Sequence, residues 1–145
     1  MAYLVDANVL SELVRPQPDA AVLAWARAQP PLALYVSVLT IGEFEKGIAR
    51  LPAGARRAQL ARWARVDVPR QFLGRVLAID ADVAAAWGGL SAAGQAAGRV
   101  LPVVDGLLVA TAQVHGLTLA TRNVSDCAGR GVPVLDPWTG ATHPP

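Results

Sequence analysis

The chain is poor in the side chains that most often carry chemistry. Cys127 is its one cysteine, so no internal disulfide can form and a reducing compartment fits best. There are two histidines, His115 beside Gly116 and His143 in the tail, and neither belongs to a zinc-binding motif. Ser37, Ser91 and Ser125 have no histidine arranged for a nucleophilic triad, and there is no phosphate-cradling glycine loop or dinucleotide fingerprint. Lysine is almost missing: Lys46 stands alone, and every other basic residue is arginine. That bias fits either genomic base composition or contact with phosphate. No segment reaches the roughly 18 uninterrupted apolar residues of a membrane span. Asp6 and Glu12 interrupt the stretch where a signal peptide would have to be apolar. The expectation is a soluble, cytoplasmic protein with no membrane partner.

What remains is a tightly foldable chain of 145 residues, 53% hydrophobic and 17% charged, with a net charge of +2. That length is one domain, residues 1–145, able to bury a core without disulfides or a structural metal. Short apolar runs at Ala2–Val5, Leu34–Val36, Val76–Ile79, Leu117–Ala120 and Val132–Leu135 predict strands. Between them the sequence predicts helices over Asn8–Val14, Ala20–Ala28 behind the N-cap Asp19, and from Ser37 or Thr40 to Arg50. An amphipathic helix over Ala53–Val66 follows, with Ala58, Leu60, Ala61, Trp63 and Ala64 on its apolar side. Asp80 or Asp82 caps an alanine-rich helix, and Pro102 opens another that ends at His115-Gly116. Alternating strands and helices predict an α/β fold, a central parallel sheet of four to five strands covered by helices on both faces. The working site of such a sheet lies outside the carboxyl ends of its strands.

Four polar residues, Asp6, Glu43, Asp105 and Asn123, interrupt or end apolar runs. A carboxylate beside a packed core loses hydration, which hydrogen bonds, a cation or a metal must offset. Asp6 and Asn123 directly follow expected strands, and Glu43 and Asp105 are expected in the first turns of helices, so all four can converge at one rim. Carboxylates meeting without histidine or cysteine favour Mg²⁺ or Mn²⁺ over zinc. An acidic metal site on a basic protein points to a phosphodiester, attacked by water, which does not by itself choose RNA over DNA. Each residue also has a structural reading. Asp6 can cap a helix, Glu43 can be structural, Asp105 can complement a helix dipole, and Asn123 can be a turn residue.

The motifs around these residues resemble PIN-domain ribonucleases, and within them VapC-type toxins of bacterial type II toxin–antitoxin systems. Leu4-Val5-Asp6-Ala7-Asn8-Val9-Leu10-Ser11-Glu12 is similar to the family's opening strand and acidic loop. Ser37 to Ile48 resembles the second motif, Val104 to Ala112 the third and Leu119 to Asp126 the fourth, in the family's order across residues 3 to about 136, with a short tail after them. The resemblance implies a PIN-like domain and a Mg²⁺- or Mn²⁺-dependent endoribonuclease, with Asp6, Glu43 and Asp105 at the metal. It also implies a homodimer and a cognate VapB-type antitoxin that covers the cleft, with operator DNA reached only through that antitoxin. Two departures stand out. Ala7 replaces a frequent hydroxyl residue, and Asn123 occupies a place where many members carry a fourth acid, with Asp126 as a nearby substitute or a loop residue. Two other readings stay open at this point: a catalytically silent PIN module working through antitoxin and operator complexes, and a receiver-like phosphoacceptor domain. The latter requires an acid pair after the first strand and a late lysine, which Asp6-Ala7-Asn8 and Thr121-Arg122-Asn123 do not supply. Arg56, Arg57, Arg62 and Arg65 suit either RNA phosphates or a solvated helix face, and Arg122 is the arginine expected nearest the cleft. Trp25, Trp63, Trp87 and Trp138 are expected in core or dimer packing.

Overall fold

The computed structural model describes residues 1–145. Its elements follow the predicted order: β1 (Tyr3–Val5), α1 (Ala7–Leu13), α2 (Ala20–Ala28), β2 (Leu34–Ser37), α3 (Val38–Arg50) and α4 (Ala55–Arg62). Next come α5 (Val68–Gln71), β3 (Val76–Leu77), α6 (Ala81–Ala96), α7 (Val103–His115), β4 (Thr118–Ala120), α8 (Val124–Cys127), β5 (Val134–Leu135) and β6 (Thr142–His143). Side chains set the helix starts. Asp19 accepts from the Ala21 and Val22 amides at 2.9 and 3.2 Å, Ser37 from Leu39 at 3.1 Å, and Asp80 from Val83 at 2.9 Å. Helix α7 ends where Gly116 adopts a left-handed φ of 65°, a conformation that costs other residues about 1–2 kcal/mol.

The strands form one sheet in the order β3-β2-β1-β4-β5-β6. The first five are parallel, as expected, and β6 adds an antiparallel edge strand on β5. That strand carries no apolar run. A turn brings it back, with the Gly140 amide donating to the Asp136 carbonyl at 2.8 Å and Asp136 donating to Ala141 at 3.0 Å. The tail expected after residue 136 thus folds onto the sheet. Chain order reverses between β1 and β4: β2 and β3 lie to one side of β1, and β4 and β5 to the other. A crevice at the carboxyl ends of β1 and β4 is therefore the topological switch point, where open parallel sheets bind ligands.

Successive β1 residues feed opposite cores. Val5 packs with Val9, Leu10, Val36, Phe44 and Phe72 on one face. Leu4 packs with Leu108, Val109, Leu119, Cys127 and Val134 on the other. Helix α7 is buried through most of its middle, which matches its apolar sequence. The amphipathic helix departs from expectation in part. Leu60, Ala61, Trp63 and Ala64 face the core as expected and Ala58 is exposed, and beyond them the helix turns π-helical over Trp63–Asp67 and continues as α5, burying Val68. The π turn rotates the apolar face, and 3.6-residue periodicity cannot anticipate it. No helix is long and apolar enough to cross a membrane.

Candidate active site

Asp6 leaves β1 at the switch point and is only 4% exposed. Its backbone amide still donates to Ala120 of the neighbouring strand at 3.0 Å, which fixes its position between β1 and β4. One carboxylate oxygen accepts from the Ala7 amide at 2.7 Å, so the helix-capping reading of Asp6 also holds. The other accepts from the Thr121 hydroxyl at 2.7 Å and from the Asn8 side-chain amide at 3.3 Å. Thr121 further accepts from the Asn8 side chain at 3.3 Å and from the Asn123 backbone amide at 3.1 Å. Asn8 closes the ring by accepting from the Arg122 amide at 3.3 Å. These contacts lace the end of β1 to the end of β4.

Asp105 is the third residue of α7, in the first turn as expected, and one of its oxygens accepts from the Asn123 side chain at 2.9 Å. Glu43 sits one turn deeper in its helix than predicted, because Ser37 caps α3 and the helix starts at Val38. It accepts no hydrogen bond and joins neither of the chain's two salt bridges, Arg15–Glu12 and Arg65–Glu45. An apolar groove of about 300 Å³ runs beside it, lined by Val14, Phe44, Ile48, Leu60 and Trp63 with Arg56 at the edge.

The electrostatics tie the acids together. Burial raises the Asp6 carboxyl above its ordinary range against the hydrogen bonds of Thr121 and Ala7, and the charge of Asp105 raises it further. Burial also raises Glu43, with Asp6 and Asp105 adding repulsion and Lys46 opposing it. Asp105 is raised by burial, with the Asn123 hydrogen bond opposing and Asp126 reinforcing the shift. Three carboxyls are thus held uncomfortably charged, and no basic side chain pairs with any of them. Such an all-oxygen set suits a hard divalent cation. As the side chains stand, no three acidic, histidine or cysteine groups meet closely enough to hold one ion.

Asn8 and Thr121 both donate to Asp6, although the sequence did not single them out. A threonine at a strand end reads as ordinary β propensity, and only the β1–β4 pairing brings it to Asp6. It supplies from a distant strand a hydroxyl to the acid that Ala7 cannot provide locally. Arg122 turns away from the acids, its guanidinium lying 4.8 Å over the Trp138 ring. Arg130 is the arginine whose charge reaches Asp105. Arg65 is taken up by Glu45 at 2.7 Å. Trp25, Trp63 and Trp138 all pack against the first core, as expected.

Residues 3–125 match the family profile for the PIN domain. The chain is 38% identical over 138 residues to VapC ribonuclease Y4jK of Sinorhizobium fredii, a match spanning 95% of this chain and 99% of that relative. It is 34% identical over 135 residues to toxin FitB of Neisseria gonorrhoeae, spanning 93% of this chain and 97% of FitB. The crystal structure of FitAcB from Neisseria gonorrhoeae superposes with a TM-score of 0.89 at 34% identity, over 94% of this chain and 98% of that one. Sequence and architecture therefore agree across nearly the whole length, and the chain belongs to the PIN-domain family.

Proposed function

We propose that this chain is the endoribonuclease toxin of a toxin–antitoxin pair, hydrolysing RNA phosphodiester bonds with Mg²⁺ or Mn²⁺. The observation that carries the reading is the convergence of Asp6, Glu43 and Asp105, three unpaired carboxylates with raised proton affinity, at the switch point of the sheet. The relatives named as a VapC ribonuclease and a toxin supply the substrate class and the biological role. A bound cation there would polarise a phosphoryl oxygen and lower the pKa of a water.

The chain's own groups do the rest. Thr121 and Asn8 hold one oxygen of Asp6 in place, and Asn123 holds one oxygen of Asp105. That leaves Glu43 as the adjustable ligand. Asn123 adds a donor rather than a fourth charge, so a single tightly held cation fits better than two. The apolar groove beside Glu43 suits an amphipathic segment of a VapB-type antitoxin, placed to cover the acids. The toxin acts as a homodimer, and it reaches operator DNA only through that antitoxin.

The test is cleavage of total cellular RNA by antitoxin-free protein with Mg²⁺ or Mn²⁺, repeated with chelator and with Asp6→Asn and Asp105→Asn. Cleavage that survives chelation and both substitutions refutes the metal site. Intact antitoxin binding with no cleavage of any RNA would instead identify a silent module, a reading that the amide at Asn123 favours.

A further inference from the structure

A second cavity, of about 290 Å³, opens beside the C-terminal half of α6. Leu90, Ala93, Gly94 and Ala97 give it a small apolar wall, and its charged lining consists of Arg99 and Arg130 alone. Arg130 is 9% exposed. Its Nε donates to the Asp126 carbonyl at 2.7 Å and its Nη1 to the Arg99 carbonyl at 3.1 Å, while its buried Nη2 has no partner. Arg99 donates through Nη2 to the Ser125 carbonyl at 2.6 Å. Neither guanidinium joins a salt bridge. Backbone carbonyls thus orient both forks without neutralising either. Burial and the neighbouring charge of Arg99 lower the proton affinity of Arg130, whereas Asp126 and Asp105 are felt only at a distance. Arg130, buried and held by carbonyls without a carboxylate partner, beside the exposed Arg99, is expensive unless an anion arrives.

The link to the acids is short. Asn123 donates to Asp105, and the carbonyls two and three residues later hold Arg99 and Arg130. At about 1.5 Å of rise per residue, the Asp126 carbonyl that holds Arg130 lies about 5 Å along the α8 axis from Asn123.

We propose that Arg99 and Arg130 form a phosphate subsite that binds a phosphodiester of the RNA strand next to the one cut at Asp6, Glu43 and Asp105. The inference rests on the endoribonuclease reading for its substrate. The two planar forks that line this cavity match a phosphate's oxygens in geometry and in charge. The subsite positions the strand and takes no part in bond cleavage.

Two measurements test it on the full-length protein. In the first, inorganic phosphate is titrated against acetate at matched ionic strength while the arginine Nε–H resonances are followed. Phosphate should shift both Arg99 and Arg130 saturably, acetate should not, and Arg99→Gln should abolish the response. In the second, labelled single-stranded RNA is bound in the presence of chelator at several salt concentrations. Losing one phosphate contact in Arg99→Gln should reduce the slope of log K against log salt by about 0.7. Arg130→Gln strips buried hydrogen bonds, so Arg130→Lys is the safer companion, keeping the charge and losing the fork. A purely structural Arg99 would lower thermal stability and leave the slope unchanged. Equal responses to phosphate and acetate, or an unchanged slope, would overturn the proposal. Failure of the wild-type chain to bind RNA would count against the endoribonuclease reading, and the phosphate titration would still decide the subsite.

Discussion

Replacing Thr121 with valine removes one oxygen from the centre of the site and leaves the shape nearly unchanged. That hydroxyl, fully buried, donates to the charged Asp6 at 2.7 Å and accepts from the Asn123 amide at 3.1 Å and the Asn8 amide at 3.3 Å. A hydrogen bond to a charged group contributes about 1.5–3 kcal/mol, and a longer neutral one about 0.5–1.5 kcal/mol. Water cannot easily replace either in the interior, so Thr121→Val should cost about 3 kcal/mol, or roughly 6–12 °C in Tm for a domain of this size. The penalty depends on pH in a defined direction. The Thr121 bond lowers the Asp6 carboxyl, so its charge-assisted part is present while Asp6 is ionised and is lost as pH falls through the native pKa. Denaturation of wild type and Thr121→Val across pH should show the difference largest near neutrality and shrinking on acidification. Combining Thr121→Val with Asp6→Asn should recover part of the cost as coupling. A penalty below about 0.5 kcal/mol, or one independent of pH, would refute the view that Thr121 secures the Asp6 carboxylate.

Glu43→Gln should stabilise the metal-free protein at neutral pH. The Glu43 carboxyl is raised by burial and by Asp6 and Asp105, so its ionisation weakens the fold as pH rises above its unfolded value. The gain should vanish below about pH 4, where Glu43 is neutral in both states, and a gain that persists there would contradict the assignment. Burial pushes the Cys127 thiol up to about 12. Native protein at pH 8 should therefore resist iodoacetamide and become reactive only on unfolding, as mass spectrometry would show. A methyl group at Gly94 would lie 2.6 Å from the Arg99 carbonyl oxygen. Gly94→Ala should lower stability in urea by about 1–3 kcal/mol, with overpacking outweighing the roughly 1 kcal/mol gained in helix propensity.

Much of the scaffold was legible because the elements announce their own ends. Asp19, Ser37 and Asp80 cap the helices they precede, and Gly116 ends α7 with the backbone geometry expected of it. The acids were legible as polar residues in apolar company, a mismatch that survives without any knowledge of contacts. The rest depended on long-range pairing. Thr121 reaches Asp6 across 115 positions of sequence, and nothing local distinguishes it from a strand threonine. Arg122 was expected near the acids because it adjoins Asn123, but the Trp138 ring, brought close by the folded tail, captures its guanidinium. Arg130 went unnoticed because its position is fixed by backbone carbonyls, which no side-chain pattern encodes. β6 was missed for a related reason: Thr142–His143 has no apolar signature and forms through the preceding turn.

The reversal of strand order at β1 has a consequence for when this protein can become active. β1 (Tyr3–Val5) is synthesised well before its partner β4 (Thr118–Ala120). Until that late strand docks, Asp6 has neither its Thr121 hydroxyl nor its backbone anchor at Ala120, and Asp105 has no Asn123 amide. A growing polypeptide therefore carries all three acids for some time before the crevice that organises them exists. Topology thus delays the site behind the synthesis of the acids that form it.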